Sequence, residues 1–411
     1  MFCNLDSKEW PSVKLEDVAQ VLGGYAFKSK EFSSKGNPII KIKNVNGRIV
    51  DKNDCDLYPV ELCKNLSKFI LNNNDILIAM TGAGSVGRVS KFVQYDNQTY
   101  YLNQRVGKII VQESLLDNEY LFQLLSTKRY EKILFDLANG SGQPNLSPKT
   151  IGLLEIPLPP LNEQRAIADI LSSLDEKIEL NNEMNETLEE MAQALFKRWF
   201  VDFEFPNKED HPYKSSGGEM VESELGMIPK GWSVKGLGEL INISSGKRPS
   251  KKSSEKDKEY RYPLIGASSI MGYVLEPLCE DKILVIGRVG THGVVQRFCC
   301  PVWTSDNTLV IRTPYYEFIN QILKKIDYSA INRGSTQPLI TQTDIKNTKV
   351  IFPTAELLKV YEEKCSVIFN VFKHNQVENI SLCNLRDTLL PKLMSGEIRV
   401  SDLIGGIGYE I

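Results

Sequence analysis

Histidine is nearly missing from this chain: His211, His292 and His374 are all there is in 411 residues. They sit in three different kinds of segment, so a His-based triad or metal centre would have to be assembled from remote parts. The eight cysteines are Cys3, Cys55, Cys63, Cys279, Cys299, Cys300, Cys365 and Cys383, with no C-x-x-C pair among them. That spacing argues against a disulfide framework or a zinc site and points to a reducing cytoplasm. No apolar run approaches the ~20 residues a bilayer span needs, and "MFCNLDSKEW" has no signal-peptide core. Also missing are an N/D-P-P-Y/F/W tetrapeptide, a G-x-x-x-x-G-K-S/T loop and a nuclease-type carboxylate cluster. What remains has the composition of an ordinary soluble protein with room for two or more domains.

One stretch does suggest chemistry. In "ILIAMTGAGSVGRVS", residues 76–90, Gly82 to Gly87 spell G-x-G-x-x-G. That pattern lets a strand turn tightly into a helix that receives a pyrophosphate. It would make the chain an AdoMet- or nucleotide-dependent enzyme.

Internal repetition speaks against that reading. "WPSVKLEDVAQVLGG" at 10–24 returns as "WSVKGLGELINISSG" at 232–246, and "ILIAMTGAGSVGRVSKF" at 76–92 as "ILVIGRVGTHGVVQRF" at 283–298. "GSGQPNLSPKTIGLLEIPLPP" at 140–160 returns as "GSTQPLITQTDIKNTKVIFPT" at 334–354. Order is kept while the intervening lengths differ, so the chain is a duplicated module. The second copy puts Arg288 where the fingerprint needs its first glycine. Downstream of the first copy, "RVSKFVQYDNQTYY" is rich in β-branched and aromatic residues. The glycines are therefore expected to form a tight turn between two strands.

A long helical pattern follows each copy. Over 163–200 the register runs Ile167, Leu171, Leu174, Ile178, Asn181, Asn185, Leu188, Ala192, Leu195, Trp199. Its counterpart runs Tyr361, Cys365, Ile368, Phe372, Asn375, Asn379, Leu382, Arg386, Leu389, Leu393. Asn162 and Thr354 are the expected N-caps, and Gly396 ends the second helix. Each apolar stripe is interrupted by two asparagines at matching positions, a device that fixes register and partner at a cost in stability. Helices of ~37 residues would be about 55 Å long, more than a small domain covers. They are expected to pair antiparallel about a pseudo-two-fold axis, with Asn185 near Asn375 and Asn181 near Asn379. The segment "PNKEDHPYKSSGGEMVESELGMIPKGW", 206–232, reads as a polar linker.

The net charge of −3 hides an asymmetry. Basic and acidic residues number 19 and 17 over 1–160, 7 and 16 over 161–230, 17 and 11 over 231–353, and 6 and 8 over 354–411. Polyanion binding by the modules is compatible with these local fields. The acidic face of the first helix, Asp175, Glu176, Glu179, Glu183, Glu186, Glu189 and Glu190, would repel a duplex and is expected to face solvent or a protein.

At "PLPPLNEQRAIADIL" (157–171), "LFKRWFVDFEFP" (195–206), "ELGMIPKGW" (224–232) and "LRDTLLPKLMSGEIRV" (385–400) the chain resembles the specificity (S) subunit of type I restriction–modification systems, along essentially its whole length. One departure is "PTAELLKVYEEKC" at 353–365, which lacks the P-L-x-E-Q found at 160–164. The resemblance implies an α+β fold: two tandem target-recognition domains, mixed α/β with β-rich cores, joined by two long antiparallel helices in a coiled coil. The expected boundaries are 1–160 for the first recognition domain, 161–200 for the first helix and 201–230 for a linker. The second recognition domain then takes 231–353, the second helix 354–397 and a tail 398–411. The resemblance further implies a non-catalytic reader of bipartite double-stranded DNA. It would assemble with methyltransferase and restriction-translocase subunits, which would carry AdoMet, ATP and Mg.

Candidate DNA contacts follow from the need for cations at phosphates and polar side chains at base edges. In the first module they are Lys28, Lys30, Lys41, Lys43, Arg48, Arg88, Lys91 and Arg105. In the second they are Lys247, Arg248, Lys251, Lys252, Arg288, Arg297 and Arg333. Gln143 and Gln337 hold equal places in the repeated G-S-x-Q-P loop. Equal residues cannot discriminate two half-sites, so these read as loop structure or backbone contacts. A coiled-coil scaffold without nucleic acid is the other alternative.

Overall fold

The computed structural model describes residues 10–138, 144–289, 294–330 and 339–400. The chain divides into two compact units, Met1–Leu180 with Val377–Ile411 and Asn181–Gln376.

In the first unit β1 (Ser12–Lys14), the single-turn α1 (Leu15–Val18) and β2 (Ala19–Gly23) lead to β3 (Asn37–Ile40) and β4 (Asp56–Tyr58). Next come β5 (Ile76–Ala79), β6 (Val89–Lys91), β7 (Tyr101–Leu102) and β8 (Val106–Val111). Helices α2 (Asn118–Leu125), α3 (Lys128–Ala138) and α4 (Pro148–Gly152) precede β9 (Glu155–Pro157) and the long α5 (Leu161–Phe200). The strands form sheets in the orders β2-β8-β5-β6, β4-β3-β7 and β1-β9. β5 is apolar at every position and wholly buried, as expected of a central strand covered on both faces.

The glycine stretch lies between two antiparallel strands, with Ile76 opposite Lys91 and Ile78 opposite Val89. Gly82 and Gly87 take φ of +103° and +84° to make that turn, a region closed to most side chains. No helix opens after the glycines, so the cofactor reading loses its structural premise.

The second unit adds a hairpin, β10 (Met220–Ser223) with β11 (Gly226–Pro229), then repeats the first unit's plan. β12 (Ser233–Gly236), β13 (Asn242–Ser245), β14 (Tyr262–Ile265) and β15 (Ile270–Val274) are followed by β16 (Ile283–Gly287) and β17 (Val295–Phe298). β18 (Trp303–Thr304), β19 (Thr308–Arg312), α6 (Tyr316–Lys325), α7 (Gln342–Asn347), β20 (Lys349–Phe352) and the long α8 (Ala355–Ser395) complete it. The sheet orders are β13-β19-β16-β17, β15-β14-β18 and β12-β20. Each matches a sheet of the first unit strand for strand, down to the parallel pairs β3–β7 and β14–β18.

Two expectations need correction. The segment 201–230 is no linker: Phe203, Phe205 and Ile228 are buried in the second unit's core with Trp232. Phe205 stacks between Tyr213 and Trp232 at 4.6 and 5.1 Å, apolar burial that outweighs the polar residues around it. Asn162 does not cap α5, which begins one residue earlier; the Pro160 carbonyl accepts from the Glu163 and Gln164 amides instead. The second long helix stops at Ser395, with Gly396 in the left-handed region at φ +71°, the geometry of a helix-terminating glycine.

Each long helix crosses the boundary between units, and within each unit the two run antiparallel. In the second unit Trp199 and Phe200 pack on Tyr361 at 6.0 and 4.8 Å. In the first, Asn379 Nδ2 donates to the Ile178 carbonyl at 3.4 Å. The seam positions Leu174, Ile178, Asn181, Asn185 and Leu188 on α5 are buried or half-buried. So are Ile368, Phe372, Asn375, Asn379 and Leu382 on α8.

Candidate nucleic-acid interface

The candidate cations fall into two groups. In the first unit, Arg48 is turned inward. Its Nη2 donates to Asp175 at 2.5 Å and to Gln123 at 2.6 Å, and its guanidinium lies 4.9 Å from the Phe122 ring centre. Asp175 also accepts from Arg386 Nη1 at 2.9 Å. Burial holds the Arg48 guanidinium below its usual range, a tendency Asp175 opposes. Lys91 is equally committed, at 2.8 Å from Glu119.

In the second unit, Arg297 donates to Glu317 at 2.5 Å and lies 3.4 Å from the Phe369 ring centre. Glu317 is 2% exposed and holds Lys282 as well, at 3.3 Å. Removing a charge from water is costly unless it is paired. These three cations hold recognition modules against helices and are poorly placed for a phosphate.

The other group faces out. Lys28, Lys30, Lys43 and Arg105 are exposed in the first unit, while Lys41 and Arg88 are half-buried. Lys41 sits 2.6 Å from Asp56 and over the Phe32 ring. Lys43 sits 2.9 Å from Asp54, whose hydrogen bond raises the lysine's pKa. Lys28 pairs with Glu31 at 3.3 Å. Pairs this exposed contribute little and exchange readily for a phosphate. In the second unit Lys247, Arg248, Lys251 and Lys252 are all exposed on one stretch, and Arg288 is half-buried. Arg333, Gln143 and Gln337 lie outside the described residues.

The basic stretch is held at both ends by one sheet. The Lys247 amide donates to the Thr304 carbonyl at 2.9 Å, and Trp303 Nε1 donates to the Lys247 carbonyl at 2.6 Å. Six residues on, Ser253 and Tyr273 exchange amide–carbonyl bonds of 2.9 and 2.8 Å. The cations therefore project from a backbone anchored to edge strands β18 and β15.

The P-L-x-E-Q signature proves structural here. Gln164 is fully buried, accepts from the Asp117 amide at 2.8 Å, and donates to the Leu115 and Pro159 carbonyls. It thereby ties α5 to the start of α2. In the second unit Glu362 serves the start of α6, accepting from the Glu317 and Phe318 amides at 3.0 and 2.9 Å. Burial raises its pKa, against the pull of those two amides. The missing signature is replaced by a different residue one turn further along.

Asp175 also departs from expectation. It belongs to the acidic face yet lies half-buried between two arginines rather than in solvent. Glu317 and Gln123 drew no notice in the sequence, although Glu119 and Glu317 each stand second in the helix that follows the β-rich core.

Among the described residues there is no group of three or more His, Cys, Asp and Glu side chains placed to hold a metal ion. None of their helices is long and apolar enough to cross a membrane.

The family model described as "Type I restriction modification DNA specificity domain" matches this chain twice, over residues 7–190 and 229–373. The chain belongs to that family. It is 28% identical to the specificity subunit of type I restriction enzyme MjaIX of Methanocaldococcus jannaschii, over 96% of this chain and 95% of that one. It is 25% identical to the HindI specificity subunit of Haemophilus influenzae, over 95% of this chain and all of that one. The crystal structure of a type I restriction–modification S subunit from M. genitalium shares the fold. Its TM-score is 0.58 at 18% identity, with 95% of this chain and 98% of that one covered. The two family matches each contain a recognition module and part of a long helix, the division expected from the repeat.

Proposed function

We propose that this chain is the non-catalytic DNA-recognition subunit of a type I restriction–modification complex, each module reading one half of a bipartite target. The observation that carries the reading is the repetition itself. Two modules share a framework strand for strand, differ in the loops and cations they expose, and are threaded by the same two helices. A reader of two unlike half-sites needs that arrangement, whereas a single catalytic pocket does not.

Phosphate contacts fall to the outward group: Lys28, Lys30, Lys41, Lys43, Arg88 and Arg105 in the first module, and Lys247, Arg248, Lys251, Lys252 and Arg288 in the second. The helices act as the spacer and as docking surface for methyltransferase subunits. Met184 and Met191 on α5, and Val367 and Val371 on α8, are apolar and 40–66% exposed, the character of a surface that meets protein. AdoMet, ATP and Mg would be held by the partner subunits, in the cytoplasm.

The test is to map methylated bases genome-wide in cells expressing the chain with its methyltransferase partner. A bipartite motif with a fixed non-specific spacer, lost when the chain is deleted, is the expected result. Methylation that persists unchanged without the chain would defeat the reading.

A further inference from the structure

The modules differ most at one connection. In the first unit β3 and β4 are joined by residues 41–55, which carry Lys41, Lys43 and Arg48. In the second unit the equivalent strands β14 and β15 are joined by residues 266–269 alone. The turn is closed by the Gly266 amide donating to the Ser269 carbonyl at 2.8 Å. Its far side is held by Gln296, whose Nε2 donates to the carbonyls of Gly266 and Ala267 at 2.8 and 3.2 Å. Where the turn enters β15, two large apolar side chains stand in the open: Ile270 is 54% exposed and Met271 48%.

Isolated exposed apolar residues are ordinary. This pair is distinguished by its place. It is adjacent to the basic stretch, because Ser253 pairs with Tyr273 just after Lys251 and Lys252. The approach is tightest at Gly272, next to Met271, where a Cβ would meet the Ser253 carbonyl oxygen at 2.5 Å. Gly272 has φ +144°, so the sequence commits a residue without a side chain to bring the two segments together. A rigid, tethered apolar tip beside four exposed cations has the chemistry of a groove reader: cations take phosphates, and the tip takes the one apolar group a base edge offers.

On the reading that the second unit binds duplex DNA, we propose that Ile270 and Met271 form a specificity-determining tip that contacts the C5-methyl group of thymine in the major groove. The first unit carries a longer charged connection at the same place and has no such apolar tip there. This accounts for two different readings from one framework.

The experiment uses the full chain in complex with its methyltransferase subunits and a duplex carrying the mapped target. Each thymine of both half-sites is replaced in turn by uracil, which removes only the methyl group. The wild-type complex is expected to lose about fourfold in affinity at one or two thymines, all in one half-site, as the transfer value of a single buried carbon implies. The I270S/M271S variant is expected to bind thymine and uracil duplexes within twofold of each other, with its salt dependence unchanged. Equal binding of every uracil duplex by the wild type overturns the proposal, as does discrimination that survives in the variant or a half-site pair without thymine. A wedge between base steps would lower affinity in the variant while ignoring the methyl, and counts against the proposal too. Failure to find any bipartite motif is a separate result, which overturns the functional reading itself.

Discussion

Asn185 and Asn375, 190 residues apart in the chain, are joined by a side-chain hydrogen bond: Asn375 Nδ2 donates to Asn185 Oδ1 at 3.1 Å. Both are buried, at 8% and 4% exposure, in the seam between α5 and α8. A buried amide pair has a clear energetic signature. Replacing Asn375 alone by Leu leaves Asn185 without this partner and should cost about 1–3 kcal/mol, whereas N185L/N375L should lie close to wild type. Chemical denaturation of the three proteins measures this. Equal losses in the single and double variants would show that packing, not pairing, sets the cost.

The ion cluster on Asp175 predicts the same asymmetry with larger numbers. D175L leaves Arg48 and Arg386 facing each other in a half-buried site and should destabilise the first unit by about 3 kcal/mol. The triple variant R48M/D175L/R386M should recover most of that. Amide hydrogen exchange in α2 and around residue 48 reports the first unit separately from the second.

For the outward cations, K247A/R248A/K251A/K252A should weaken DNA binding by the complex and flatten its salt dependence. The dependence of log K on log salt should fall by about one unit for each phosphate that the variant no longer neutralises. Fluorescence anisotropy over a salt series gives the slope, and an unchanged slope would remove this stretch from the interface.

Cysteine chemistry offers a check on the fold. Burial raises the Cys365 thiol to about 12, so thiolate is scarce at neutral pH and the side chain is enclosed. Cys299 and Cys300 are exposed. Iodoacetamide at pH 8 should label the adjacent pair within minutes and reach Cys365 only on unfolding, as peptide mass spectrometry would show.

Much of this architecture was legible because it is periodic or repeated. The α5 and α8 registers, including the asparagine pair, follow from three- and four-residue spacing, and the glycine turn from comparing two copies. Failures came where tertiary contacts override local composition. Residues 201–230 look like a linker because the stretch is polar and carries Pro, Gly and Ser, yet Phe203, Phe205 and Trp232 anchor it. Arg48, Lys91 and Arg297 look like any other surface cation. Lys91 and Arg297 did carry a usable signal: they stand at the same place in the two copies. A cation repeated in modules that read different DNA belongs to the framework. Arg48 had no such counterpart, and only the position of Asp175 reveals its role.

The separation of the two half-sites is expected to follow the length of the paired helices. One added helical turn, four residues, lengthens a helix by about 6 Å, or between one and two base pairs of B-DNA. Lengthening α5 alone, for instance after Glu190, would slide Ala192, Phe196 and Trp199 past Tyr361, with which Phe196 and Trp199 now make ring contacts at 6.4 and 6.0 Å. The insertion must therefore be made in both helices at once: four residues after Met184 and four after Asn375. Residues 185–375 then move as a body, with the Asn185–Asn375 bond and the Lys324–Glu189 ion pair kept intact. A whole turn is needed because a fraction of one would rotate the apolar seam out of register. Methylation mapping in cells carrying the paired insertion should show a spacer longer by one or two base pairs and both half-sites unchanged. A changed half-site with an unchanged spacer would mean that the helices take part in reading and do not merely separate the readers.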